Sequence, residues 1–195
     1  MATSQTINLQ ERRATSLFLK KHHLINMNKP NYLSGYEPKI QDQVSSLLND
    51  NKLKDFLLKR YPKAHEVKTD KALYDYTMLI KNQYLRKSNP LSKILFDEKI
   101  SLRHQALGLH SFVSRVQGSK TKAKNEIRIS SRLKIMPEPF LRMLVVHELA
   151  HLKEKDHNKA FYQLCCHMQG DYHQMEFHLR LLLTQIDHYS NPYVE

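Results

Sequence analysis

Phe140, Leu141, Met143, Leu144, Val145, Val146, Leu149 and Ala150 leave almost no polar face on the stretch 138–153. A helix that is apolar all round belongs inside a core, so the rest of the fold has to be built around this segment. Its start is marked by Pro137-Glu138-Pro139, because proline and an acidic residue suit the first turn of a helix. Within the same buried stretch stand His147, Glu148 and His151. Three ionisable groups there are costly to bury unless something partners them all.

The run His147-Glu148-Leu149-Ala150-His151 is an HExxH pattern. Residues four apart on a helix differ by about 40° after one full turn, so both imidazoles point the same way. One ion can then take a nitrogen from each at about 2.1 Å. Glu148 falls beside such an ion rather than on it, where its carboxylate is able to take the proton of a metal-bound water as general base. Shuffling this composition yields the bare pattern in roughly 4% of cases, so the motif needs its buried setting to carry weight. Catalytic zinc usually has three protein ligands. The spacing HExxHxxxxxH offers His157 as the third, with Glu154 as its competitor, three residues after His151. Metzincins have glycine where Glu154 stands, so the turn 153–156 has to form without one.

Elsewhere the chain reads as α+β. Apolar residues at helical spacing in 37–61 give two short helices broken at Asn49-Asp50-Asn51. A third helix starts at Thr69-Asp70, with Leu73, Tyr76, Leu79, Ile80, Gln83 and Tyr84 assigned to one stripe. Segments 93–100, 111–117 and 126–130 have strand character and predict a small antiparallel sheet packed on the metal-binding helix. The last two are joined by a polar connection, 118–125, holding Lys120, Lys122 and Lys124. Two more helices follow the motif, and Asp171 with Gln174 predicts a capping box for the second.

The net charge of +12 is concentrated in 91–135, where ten lysines and arginines face three acids. Such a bias favours phosphates or acidic polymers. No apolar run approaches the roughly 20 residues of a membrane span. The only cysteines, Cys165 and Cys166, lie adjacent in an apolar helical pattern, which favours reduced thiols and a cytoplasmic location.

Residues 145–162, from Val145-Val146-His147-Glu148 to Lys159-Ala160-Phe161-Tyr162, closely resemble the bacterial YgjP family, which belongs with the WLM and SprT-like zinc metallopeptidases. Thr69-Asp70-Lys71-Ala72-Leu73, Ala106-Leu107-Gly108-Leu109-His110, Ser114-Arg115-Val116-Gln117-Gly118 and Glu126-Ile127-Arg128-Ile129 extend the likeness over about residues 27 to 187. The expected organisation is therefore a flexible extension at 1–26, a single domain at 27–187 and a tail at 188–195. The resemblance implies a minimal, zincin-like metallopeptidase fold with one Zn2+ on His147, His151 and His157 and with Glu148 catalytic. Where the broader group has Arg-Trp-Gly-Ser-Cys, this chain reads Arg115-Val116-Gln117-Gly118-Ser119. Members of the YgjP branch are also described as pyrophosphatases acting on UTP.

Three functions compete at this stage. A metallopeptidase, with zinc or another divalent ion polarising a peptide carbonyl, is the first choice. A UTP pyrophosphatase using the same metal site is the second, with Arg115, Lys120, Lys122 and Arg128 expected to bind the triphosphate. A non-catalytic, zinc-containing nucleic-acid-binding module is the third. Peptide or nucleotide is the expected partner, with no membrane.

Overall fold

The computed structural model describes residues 31–100, 108–117 and 120–194, with backbone alone at 108–117 and 120–124. The expected extension at 1–26 lies outside the described residues, and the elements below all belong to the unit Tyr32–Glu195. Helices α1 (Pro38–Asn49) and α2 (Lys52–Arg60) are separated at Asn51, whose φ of 57° is left-handed. Asparagine is among the few residues that tolerate this conformation. Helix α3 (Asp70–Tyr84) starts where Thr69 Oγ1 accepts the Ala72 amide at 3.2 Å. It buries Leu73 and Ile80, but Leu79 is 72% exposed. Leu79 is about 120° around the helix from Leu73, so it cannot share that stripe. Tyr76 donates its hydroxyl to Glu138, joining α3 to the start of the core helix.

The sheet has the order β1-β3-β2, formed by β1 (Leu91–Asp97), β2 (Gly108–Gln117) and β3 (Lys120–Ser130). β2 and β3 pair antiparallel as expected, yet β1 pairs parallel with β3, so the sheet is mixed. A wholly antiparallel sheet is thus corrected: β3 inserts between β1 and β2, so those two sequence neighbours never pair. A register shift between Leu91 and Lys93 lets Leu91 and Ile94 both be buried. Lys120, Lys122 and Lys124 also need correction, since they lie within β3, and Gln117 pairs with Lys120 across a connection of residues 118 and 119. Their segment alternates two kinds of polar or small residue, so it carries no apolar face to announce a strand.

After a 3-10 turn (Ser131–Ile135), α4 (Glu138–Ala150) crosses the core, packed by α3, β2, β3 and the two helices that follow. Nine of its residues are buried, Glu148 among them. It stops at Ala150 instead of reaching residue 153, and His151 is its C-cap. Helix α5 (Lys159–Met168) begins at Asn158, whose Oδ1 accepts the Phe161 amide at 2.9 Å. Helix α6 (Tyr172–His188) begins after Asp171, which makes no capping bond because its carboxylate takes the Gln169 side-chain amide at 3.1 Å. No helix among the described residues is long and apolar enough to cross a membrane.

Candidate metal centre

His147 and His151 occupy the last turn and cap of α4, and their ring centroids are 5.1 Å apart. The chain then turns over 152–157 with no left-handed residue, since Asn51 is the one non-glycine residue with positive φ among those described. His157 returns to the pair at the foot of α5: its Nε2 is 3.2 Å from His151 Nε2, and its ring centroid is 4.9 Å from that of His147. One ligand atom from each of the three residues lies within 4.8 Å of the other two. Glu154 enters differently from the competing role expected of it. Its backbone carbonyl accepts a hydrogen bond from His151 Nδ1 at 3.0 Å.

Phe161, fully buried on the first turn of α5, lies against all three imidazoles, with centroids 4.9, 4.7 and 4.7 Å away. The Asn158 cap fixes that turn, so one local feature sets both His157, its neighbour in sequence, and the apolar ring beneath the cluster. Burial, reinforced by the other two histidines, pushes His147 down to about 3. Burial also lowers His151. Both rings are therefore neutral at pH 7 and can offer lone pairs. Because a carbonyl only accepts, His151 must carry its proton on Nδ1, which leaves its Nε2 lone pair facing His157.

This donor set suits a divalent metal. Two nitrogen ligands of a tetrahedral ion lie roughly 3.3 Å apart, close to the separation seen between His151 and His157. Glu148 is 3% exposed on the same helix, one residue from His147. Two supporting groups had no sequence signal: the Tyr172 hydroxyl, 2.7 Å from His147 Nδ1, and the Glu154 carbonyl. Both contacts depend on tertiary placement or backbone geometry, and no side-chain spacing reveals them.

The basic residues expected at the substrate are on the sheet. Arg128 donates to Asp97 at 2.9 Å and to Glu126 at 3.3 Å. It stands between the fully buried Ile127 and Ile129, hence on the opposite sheet face from them. Arg115 pairs in register with Lys122, and Lys120 with Gln117. By alternation positions 120 and 122, with 115 opposite 122, share the face of position 128. Of the other histidines, His178 is buried and 2.6 Å from the Tyr61 hydroxyl, and His167 packs edge-on to Tyr84.

An α+β domain with three imidazoles and a buried carboxylate at the end of its core helix has metallopeptidase-like architecture, and the protein is a metal-dependent hydrolase. The family model described as YgjP-like, metallopeptidase domain, matches residues 96–181. A protein of Escherichia coli K12 named UTP pyrophosphatase is 58% identical over 160 residues, which cover 82% of this chain and 96% of that relative. The chain belongs to the YgjP-like family. No solved structure matches it.

Proposed function

We propose that this protein is a zinc-dependent pyrophosphatase that hydrolyses a nucleoside triphosphate, UTP being the substrate its E. coli relative is named for. The observation that carries the reading is that relative: 58% identity across 96% of its length is close enough for the same chemistry to be expected. It moves the preference away from the peptidase, the first choice on sequence alone.

His147, His151 and His157 would hold the ion, which when bound supplies a Lewis acid and makes a water easier to deprotonate. Glu148 accepts the proton of the attacking water. The water oxygen forms a bond to the α-phosphorus while the α–β phosphoanhydride bond breaks, giving the nucleoside monophosphate and diphosphate. Phe161 excludes water from beneath the three imidazoles and holds their rings in place. The free thiols of Cys165 and Cys166 suit the reducing cytoplasm, where such a substrate would be met.

Peptide hydrolysis is the second reading. It is favoured by the name of the matching family model and by β2, an edge strand of the described sheet that packs on α4. An edge of that kind can align an extended chain. Zinc-loaded protein incubated separately with UTP and with unfolded casein distinguishes the two, with Glu148→Gln as the blank for contaminating enzymes. Diphosphate released by the wild type alone supports the proposal. Casein fragments without diphosphate overturn it.

A further inference from the structure

A second group of rings continues outward from the three imidazoles. The ring centroid of Tyr162, on α5, is 6.3 Å from that of His157, and His173, on the first turn of α6, is 5.4 Å from Tyr162 with the two rings tilted by 38°. Tyr172 adjoins both, with centroids 6.4 Å from Tyr162 and 5.4 Å from His173.

Packing does not account for this pair. Rings that serve the core are fully buried, as Phe161 and Tyr172 are, whereas Tyr162 is half-buried and the His173 side chain is 61% exposed. Aromatic rings left partly open to water beside a candidate centre offer a flat apolar face to a ligand. Every nucleobase has a π-face, and stacking on aromatic side chains is a general way of holding one.

The substrate of the proposed function is built in the same order as the rings. A nucleoside triphosphate is anionic at one end and flat, aromatic and uncharged at the other, with one ribose between them. Its phosphates belong at the cation that His147, His151 and His157 would hold. The base is tethered to the α-phosphorus through the ribose, so it has to rest within one sugar's reach of the three imidazoles. Tyr162 and His173 lie next to His157 in that direction, on two helices whose starts are fixed by the same turns that build the centre.

We propose that Tyr162 and His173 form the platform on which the base of the nucleotide stacks while its α-phosphate lies at the metal centre. The inference rests on the pyrophosphatase reading and extends it from the reacting end of the substrate to the opposite end. Stacking tolerates any base, so the platform supplies affinity for a nucleotide over a base-free phosphate compound, and the choice among bases is left to other groups.

Two measurements on the zinc-loaded full chain test it. The first is proton NMR of uridine 5′-monophosphate, the nucleotide product of the proposed reaction, titrated with protein. A base lying over aromatic rings is shielded, so the uracil H5 and H6 signals should move upfield with wild type and with Tyr162→Phe, which keeps a ring, and far less with Tyr162→Ala. Ribose 5-phosphate has no base and should bind wild type and Tyr162→Ala alike. The second is steady-state kinetics with UTP, where Tyr162→Ala and His173→Ala should each raise KM about 5–100-fold, the effect of truncating a stacked ring, with kcat changed far less. His173→Ala guards against a folding defect, because this exposed ring adjoins Tyr162 and Tyr172 and no ligand imidazole among the described residues. A merely structural role for Tyr162 would weaken ribose 5-phosphate as much as the nucleotide. Unmoved uracil signals overturn the inference, as does an unchanged KM in both alanine variants. If the wild type released no diphosphate from UTP, the proposed function would fail, while the uracil signals would still decide the platform.

Discussion

His157 Nε2 sits 3.2 Å from His151 Nε2 across a turn of five intervening residues, whereas Glu154, nearer in sequence, contributes its backbone carbonyl. The two residues should therefore respond differently to alanine. His157→Ala should lose more zinc affinity than the roughly 10–100-fold that removing a supporting group costs. Glu154→Ala keeps its carbonyl and should bind zinc nearly as wild type does. Competition with a calibrated chelator checks both, and the reverse order would make Glu154 the ligand.

Glu148→Gln should retain zinc and lose hydrolysis, because an amide cannot accept the water's proton while the three imidazoles are untouched. General-base catalysis is worth about 10²–10⁴-fold, and kcat should fall by that much. Metal content and kcat measured on one preparation decide the matter. A metal-free variant would mean that Glu148 is itself a ligand.

Removing Phe161 should damage stability and site together. Phe161→Ala empties a fully buried position and should cost about 3–5 kcal/mol in chemical denaturation. Asn158→Ala removes only the cap of α5 and should cost about 1 kcal/mol. If His157 is held through that cap, Asn158→Ala should also weaken zinc by more than its small stability loss suggests.

The basic residues of the sheet should separate by function. Arg128 is committed to Asp97 and Glu126, so Arg128→Ala should lower the melting temperature and leave the KM for UTP nearly unchanged. Reversing Lys120 and Lys122 to Glu should raise KM and flatten its salt dependence if these residues meet the triphosphate. Steady-state kinetics from low to high salt test this, and a KM effect from Arg128→Ala alone would reverse the assignment.

Acid should weaken the fold through groups away from the metal centre. Burial lowers His65, with Lys68 adding to the effect, and burial lowers His178, with Arg60 adding. The unfolded chain then binds more protons than the folded one just below the ordinary histidine value of about 6.5. Stability from these groups is complete above that pH and is lost as pH falls toward their lowered values. Thermal melts of the metal-free chain between pH 8 and 5 should show the decline, to which His147 and His151, also lowered by burial, add their share. His178→Gln, which still offers Tyr61 an acceptor, should make it shallower.

How far the sequence led depended on whether a relationship was local. His147 and His151 share a helix, and His157 follows at a countable spacing, so their meeting was foreseeable. The break at Asn51 and the Thr69 cap are likewise properties of a few consecutive residues. The order of the strands was not, because nothing in 91–97 states that it will lie beside 120–130. The polar stretch at 120–125 hid a strand, since alternation without apolar residues leaves no periodic signal. Tyr172 escaped for the same reason as the sheet order: its partner lies 25 residues earlier, and only packing brings them together.

The turn between His151 and His157 is made with ordinary backbone, no glycine and no left-handed residue. Lys153, Lys155 and Asp156 on it are exposed. Any L-amino acid except proline can occupy such conformations without strain. The number of residues in this bridge is thus held fixed by the two histidines it joins, while the exposed positions 153 and 156 place little demand on the side chain they carry. Evolution, or an engineer, can repaint the charge beside the cluster without moving either histidine.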